Sequence, residues 1–152
     1  MTAIAGKANT WETGLMLLLF NNTDFTLVGD AGGLRGSASA GSLYVSLHTA
    51  DPTEEGNQTS SELAYTDYAR VAVARSGSGW TCTGGSVVPA NEIAFPMSNG
   101  GAGGTVTHFG VGTSTLATGA GKLLYAGAVT PNIVVSTGVT PKLTVATAIT
   151  EA

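Results

Sequence analysis

From Ser42 onward, the sequence is built of short runs rich in Val, Thr, Ile and aromatic residues, separated by turn residues. The five prolines lie at the edges of these runs, where a sheet tolerates a residue that lacks an N–H group. The runs are LYVSLHT, YARVAVAR, GWTCT, SVVPA, NEIAFP, TVTHFGVGT, GKLLYAGAV, NIVVS and KLTVATAI. Many short strands joined by Gly- and Pro-containing turns are typical of antiparallel sandwiches and barrels. We therefore expect a mainly β chain that folds as an antiparallel β-sandwich with jelly-roll-like connections.

The first run belongs to the stretch SLYVSLHTADP, in which apolar and polar side chains alternate. This alternation predicts a strand with Leu43, Val45 and Leu47 on the core side. Tyr44, Ser46 and His48 would then point outward or toward a second layer. The position of His48 at the end of the strand raises the question of whether the strand presents a catalytic histidine or is purely structural.

A helix is predicted near the N-terminus, over Thr10 to Asn21. Asn9 is suited to cap it, and Glu12 falls at the third helical position, from which it can return a hydrogen bond to the cap. Apolar residues then recur at helical spacing and form a stripe. The candidate interface residues on this helix are Trp11, Leu15, Leu18, Leu19 and Phe20. A helix that is apolar on most sides needs cover, so it either plugs its own domain or docks on a partner.

The chain changes character between the predicted helix and the first strand. Residues 22–40 are rich in Gly, Asp, Ser and Ala and show no sustained periodicity. Loops of this length are uncommon inside compact domains and are more typical of functional loops or extended arms. The sequence therefore predicts two parts: an N-terminal arm with a short helix (residues 1–41) and a β-sandwich domain (residues 42–152).

Charged residues make up 11% of the chain, well below the quarter or so that is usual. A sparsely charged surface suits a homo-oligomeric subunit that is buried against its neighbours, although Gly-rich loops and Thr-rich strand faces also dilute charge. The net charge is −4, and the six basic residues are scattered, so direct binding to nucleic acid is not expected. One cysteine, Cys82, excludes an internal disulfide and a multi-cysteine metal site, and predicts a small buried or half-buried side chain.

The apolar run LMLLLF near the N-terminus is too short for a signal-peptide core or for a membrane span. We therefore expect a cytoplasmically made soluble protein, with no targeting segment and no membrane partner.

The sequence offers no recognisable catalytic motif, since it contains neither a nucleophile elbow nor a complete phosphate-binding loop. His48 and His108 with an acid such as Asp51 are conceivable metal ligands, but no ligand spacing supports them. The favoured interpretation is that both are hydrogen-bonded or half-exposed strand residues. We expect no enzyme, no catalytic residue, no metal and no cofactor. The aromatic residues, including Tyr65 and Tyr68 beside Arg70, are candidates for a sugar platform but more commonly serve in packing.

The order of several blocks resembles a known family. SLYVSLHTADP is followed by YARVAV, NEIAFP, a Gly-rich loop, VTHFGVGT and GAGKLLYAGAV. This order, over residues 42–149, is similar to that of small structural proteins of tailed bacteriophages, often described as tail-fibre-like. The resemblance implies a virion structural protein. It assigns no functional residue to this chain, because the shared blocks correspond to strands and turns.

Two roles in the virion follow from that resemblance. The first is a capsid cement or decoration protein that stabilises the shell, with the major capsid protein, copies of itself, or both as partners. The second is a tail or tail-fibre component involved in recognising the host surface, and only this role implies a host-surface glycan as a partner. The sequence shows no coiled coil, β-helix or repeat that would build a long shaft, which favours the cement role.

Overall fold

The computed structural model describes residues 6–115 and 119–151. It is mainly β, with antiparallel sheets and, in those ranges, a single helix near the N-terminus. The helix α1 spans Asn9–Asn21, and the strands are β1 (Ser42–His48), β2 (Val71–Ala74), β3 (Trp80–Thr83), β4 (Ser86–Pro89), β5 (Ile93–Ala94), β6 (Gly104–Gly112), β7 (Leu123–Val135), β8 (Lys142–Leu143) and β9 (Ile149–Thr150). Residues 1–5 of the predicted arm and Ala152 at the end of the predicted domain lie outside the described residues.

The strands form three antiparallel sheets. The largest has four strands in the order β2-β1-β6-β7, the second has the order β3-β4-β9, and the third pairs β5 with β8. The predicted mainly β, antiparallel architecture with one N-terminal helix is thus confirmed, whereas the jelly-roll-like connectivity is not. The predicted runs GKLLYAGAV and NIVVS lie in one continuous strand, β7, and KLTVATAI is divided between β8 and β9.

Pro131 lies inside β7 and not at the edge of a strand, contrary to the expectation from the sequence. The register between β6 and β7 changes here: Val106 lies opposite Ile133, but His108 lies opposite Ala128. Residues 129–132 therefore face Thr107 alone and form a bulge. Because bulged residues leave the hydrogen-bonded ladder, a proline is tolerated at this point of the strand.

The core face of the four-stranded sheet carries the apolar side chains predicted for β1. Leu43, Val45 and Leu47 are buried, with exposed fractions of 4%, 0% and 0%. In the β1–β6 register Val45 lies opposite Val111 and Leu47 opposite Phe109, so these residues of β6 point to the same side. The core face packs into one hydrophobic cluster that also includes residues of α1, β3, β4, β5, β8 and β9.

Helix α1 contributes directly to that cluster. Met16 and Phe20, four residues apart and hence on one side of the helix, are fully buried. The Phe20 ring lies 5.0 Å from the Trp80 ring in an edge-to-face arrangement and 5.7 Å from the Tyr125 ring. Of the two possibilities left open by the sequence, the structure shows the helix covering its own domain. Within the predicted arm, residues 9–21 are therefore packed on the β domain.

The predicted N-cap is wrong by one residue. Asn9 is already helical, Ala8 occupies the cap position, and no side chain caps the helix there. The side chain of Glu12 instead lies against Gly85, where an added Cβ would come within 3.1 Å of Glu12 Oε2. Packing, and not a reciprocal pair of cap hydrogen bonds, therefore holds this end of the helix. At the other end, Asn22 adopts a left-handed conformation and donates its N–H to the Leu17 carbonyl.

Arg75, just after β2, fixes the end of the helix to the sheet. Its guanidinium donates to the carbonyl oxygens of Leu19 (2.7 Å), Leu18 (2.9 Å) and Ala40 (3.0 Å). The positive charge satisfies carbonyls that no longer have a partner within the helix, at the negative end of its dipole. The same side chain therefore holds both ends of the glycine-rich segment that joins α1 to β1.

Cys82 lies beside the helix, with its Sγ atom 3.8 Å from the Met16 carbonyl. The side chain is half-buried, as the sequence predicts, and burial raises the pKa of its thiol to about 11.

The first prediction concerns the contribution of the helix to stability. Replacing Phe20 by Ala removes a fully buried ring from between Trp80 and Tyr125 and should lower the free energy of unfolding by about 3–5 kcal/mol. The matched control is Leu27→Ala, because Leu27 is 81% exposed, and it should change stability by less than about 0.5 kcal/mol. Urea denaturation followed by tryptophan fluorescence measures both. Equal effects of the two substitutions would contradict the packing of α1 into the core.

Candidate functional site

The face of the four-stranded sheet opposite the core carries buried polar side chains. The chain between β1 and β2 folds back over this face, so that Ser46 and His48 are both 0% exposed. We call the following set the polar network: Ser46, His48, Gln58, Glu62, Tyr68 and Arg70. It is the arrangement in the described chain that most resembles a site for chemistry.

Ser46 and His48 form a hydrogen-bonded pair. Ser46 Oγ lies 2.9 Å from His48 Nε2, and His48 Nδ1 lies 2.8 Å from the Ser60 carbonyl oxygen. Because a carbonyl can only accept, Nδ1 carries the proton and Nε2 accepts from the serine hydroxyl. Serine hydrolases use the same order of donors and acceptors, with a carboxylate in place of the Ser60 carbonyl.

The surroundings of this pair leave no room for a substrate. Gly110 of β6 lies directly against it: a Cβ at Gly110 would be 2.7 Å from His48 Nε2 and 2.9 Å from Ser46 Oγ. Burial lowers the pKa of His48, with the Ser60 hydrogen bond and the charge of Glu62 opposing the shift. His48 is therefore a neutral, sealed residue that links β1 to the loop above it, and β1 is a structural strand.

Arg70 and Glu62 form a buried ion pair in the same network. Nε and Nη2 of Arg70 donate to the two carboxylate oxygens of Glu62 at 2.8 and 2.7 Å. Nη1 donates to the carbonyls of Ser114 and Gly119 at 3.1 and 2.9 Å. The hydroxyl of Tyr68 donates to Glu62 at 2.9 Å and accepts the Leu47 N–H, at 3.0 Å. The pair thus joins the β1–β2 connection to the β6–β7 loop.

Gln58 makes the second link between the same two loops. Its Nε2 donates to the Tyr44 carbonyl at 3.2 Å, and its Oε1 accepts the Ser114 N–H at 2.8 Å. Gly112 makes this possible, because a Cβ there would lie 2.2 Å from Gln58 Cδ. The covering loop therefore touches the sheet at Gly112, whereas Gly110, two residues away on the same face of β6, lies against Ser46 and His48 of β1.

The two histidines are neighbours in the fold. His108 lies opposite His48 in the β1–β6 register, and its Nδ1 is 2.9 Å from Thr107 Oγ1. Asp51, the acid considered with them, accepts the Thr53 N–H at 2.9 Å within a turn. In residues 6–115 and 119–151 no group of three His, Cys, Asp or Glu side chains is placed to hold a metal ion.

The aromatic residues considered for a sugar platform lie mainly in the core. Tyr65 is 8% exposed, donates its hydroxyl to the Pro96 carbonyl at 2.7 Å and packs edge-to-face on Tyr68. Trp80 is 1% exposed. These side chains therefore act in packing, and they form no open aromatic surface.

The predicted interface residues on α1 are distributed between the core and the surface. Phe20 is fully buried, and Leu19 is half-buried and packs against the core. Leu15 and Leu18 are half-buried. Trp11 is 37% exposed and lies 5.6 Å from the Phe25 ring. The helix thus keeps an outer apolar face, formed by Trp11, Leu15 and Leu18.

The comparison with known families gives the chain its context. Residues 32–150 match the family model described as podophage GP4 fiber I protein gp80, a range that includes all nine strands. The chain belongs to this family. No curated protein matches it. A phage virion structural protein, as implied by the resemblance, is therefore confirmed, while α1 precedes the matched residues.

One further structural finding concerns membranes. No helix in the described ranges combines the length and the apolar character needed to cross a bilayer.

The second prediction tests the contact between the covering loop and the sheet. Gly112→Ala places a methyl group on Gln58 and should lower the free energy of unfolding by about 1–3 kcal/mol through overpacking. The matched control is Gly77→Ala, since a Cβ at Gly77 meets nothing within 4 Å, and it should be neutral or stabilising by at most about 1 kcal/mol. Chemical denaturation compares them. A Gly112→Ala protein as stable as the control would mean that the loop does not rest on β6.

Proposed function

We propose that this chain is a structural component of the phage fibre apparatus that acts through contacts with other virion proteins. The observation that carries the proposal is the match to a fiber protein family over residues 32–150. The geometry supports a structural task, because the Ser46–His48 pair is sealed beneath a loop and the candidate sugar-binding aromatics lie in the core.

A role as a capsid decoration protein is the second candidate. It is favoured by the compactness of the described chain, whose strands have no more than thirteen residues and whose helix also has thirteen. Neither element is long enough to form a shaft. A compact domain can also cap, join or anchor fibres, so the family match makes the fibre role the better supported of the two.

The outer apolar face of α1 is the surface that we assign to attachment. Trp11, Leu15 and Leu18 keep part of their apolar area in contact with water, although the other side of the helix is buried. Exposed apolar area of this kind is stabilised when a partner covers it. The partner is then another virion protein, in agreement with the low charge of the chain.

The location of the protein in the virion separates the two roles. Gold-labelled antibody against the chain, applied to purified virions, should mark the fibres. Labelling distributed over the capsid shell would instead establish the decoration role. Virions that carry no label and contain none of the chain by mass spectrometry would contradict both.

The third prediction concerns the attachment surface. The double substitution Trp11→Ser and Leu15→Ser should leave the β fold intact and reduce the copies of the chain per virion at least about tenfold, because each lost anchor is worth roughly 1.5–3 kcal/mol. Quantitative mass spectrometry of purified virions measures the copy number. The matched control is Val145→Ser, an exposed apolar residue outside the helix, which should be incorporated normally. Equal incorporation of the two variants would rule out the helix as the attachment surface.

A further inference from the structure

The loop between β5 and β6 contains the dipeptide Asn99–Gly100, the single Asn-Gly pair in the sequence. Asparagine is a thermolabile residue, because the backbone nitrogen of the next residue can attack its side-chain amide carbon and close a cyclic imide. A following glycine has no Cβ and so leaves that nitrogen unshielded. Every other asparagine in the chain is followed by a larger residue. Asn99 is therefore the asparagine whose local sequence most favours this reaction.

The structure leaves the attacking nitrogen outside the sheets. Asn99 and Gly100 belong to no strand, and Asn99 is exposed. The Gly100 carbonyl accepts the Thr66 N–H at 2.8 Å, but the Gly100 N–H donates to no acceptor in the described chain. Closing the imide therefore breaks no hydrogen bond at the nitrogen that attacks.

The amide that is attacked is held by Asp67. Nδ2 of Asn99 donates a hydrogen bond to Oδ2 of Asp67, and the Asn99 N–H donates to the Thr66 carbonyl at 3.4 Å. Asp67 is exposed and has a φ of +75°, a left-handed conformation in which Asp and Asn are enriched among residues other than Gly. Nδ2 is the atom that must leave as ammonia, so its bond to the carboxylate has to break first. The contact therefore opposes the reaction.

We propose that Asn99 is a site of spontaneous deamidation in the folded protein and that Asp67 slows this modification. The Gly100 nitrogen forms a bond to Asn99 Cγ, and the bond from Cγ to Nδ2 breaks. Ammonia leaves with the proton that the Gly100 nitrogen gives up. Water, the co-reactant, then opens the imide at one of its two carbonyls and gives aspartate or isoaspartate at position 99.

Either product weakens the contact of this loop with the residues before β2. A carboxylate at position 99 cannot donate to Asp67, and two like charges at hydrogen-bonding distance repel each other. Isoaspartate also inserts a methylene group into the backbone between Ser98, which donates its N–H to the Val139 carbonyl at 2.9 Å, and Gly100, which accepts from Thr66. The modification therefore loosens the loop. It is a property of the chain itself and does not depend on the fibre role.

The experiment follows the conversion of Asn99 in the purified, folded, full-length chain during incubation at mildly alkaline pH. Tryptic peptide mapping by mass spectrometry detects the change from amide to acid, and a sample digested without incubation gives the background. Asn91 is an internal control, because it lies on the same tryptic peptide and is followed by Glu92. Asn99 should convert progressively, whereas Asn91 should stay unchanged.

Two substitutions test the role of Asp67. Asp67→Gly keeps the left-handed conformation and removes the acceptor, so it should speed the conversion of Asn99 about threefold or more. Asp67→Asn keeps an uncharged acceptor and should give a rate between those of Asp67→Gly and the unmodified chain. The matched control is Ser61→Gly, at another exposed residue with a positive φ, and it should convert at the unmodified rate. Circular dichroism of each variant verifies the fold.

The remaining outcomes overturn the proposal. Asn99 that stays unconverted in the folded chain, or that converts no faster than Asn91, is not a deamidation site of this protein. An Asp67→Gly variant that converts no faster than Ser61→Gly shows that Asp67 does not slow the reaction. None of these results affects the labelling of virions, so the fibre role is tested separately.

Discussion

The structure depends on a buried ion pair between Arg70 and Glu62. Removing both charges from water costs several kcal/mol each, so the pair persists only where every donor and acceptor is satisfied. Here the Arg70 guanidinium donates hydrogen bonds to the Glu62 carboxylate and to two carbonyls of the β6–β7 loop. The Tyr68 hydroxyl donates a further hydrogen bond to the carboxylate. The two loops must therefore stay where they are for the charges to stay paired. This constraint holds the β1–β2 connection over the second face of the sheet, while the outer face of α1 keeps part of its apolar area exposed.

The sequence predicted the features that depend on local patterns. Alternation in β1 gave the correct core residues, and the helical run at the N-terminus was correctly placed to within one residue. The buried side of the helix was not predictable from the local pattern, because the burial of Met16 and the packing of Phe20 on Trp80 arise only in the tertiary structure. The prediction of Asn9 as the N-cap was wrong for a related reason. Tertiary packing of Glu12 against Gly85 overrides the capping preference of Asn, which is worth about 1 kcal/mol.

The polar network was missed because its members come from distant parts of the chain. Gln58 and Arg70 meet the residues around Ser114 only after β6 has paired with β1, and no spacing in the sequence records that contact. One signal was present: the alternate glycines in FGVG leave one face of β6 without side chains, which is where a covering layer approaches.

The most direct test of the sealed network is the titration of His48 by NMR. Burial lowers its pKa below the ordinary value of 6.5, so the unfolded chain binds more protons than the folded one in the interval between the two values. With respect to His48, the free energy of unfolding therefore has its full value above pH 6.5. It decreases as the pH falls through that interval. The account predicts that His48 titrates below pH 6.5 from a neutral imidazole with its proton on Nδ1, and that the free energy of unfolding decreases as the pH falls below 6.5. Reversible protonation of His48 near pH 6.5 in the intact fold would show instead that solvent reaches the site, and would contradict the account.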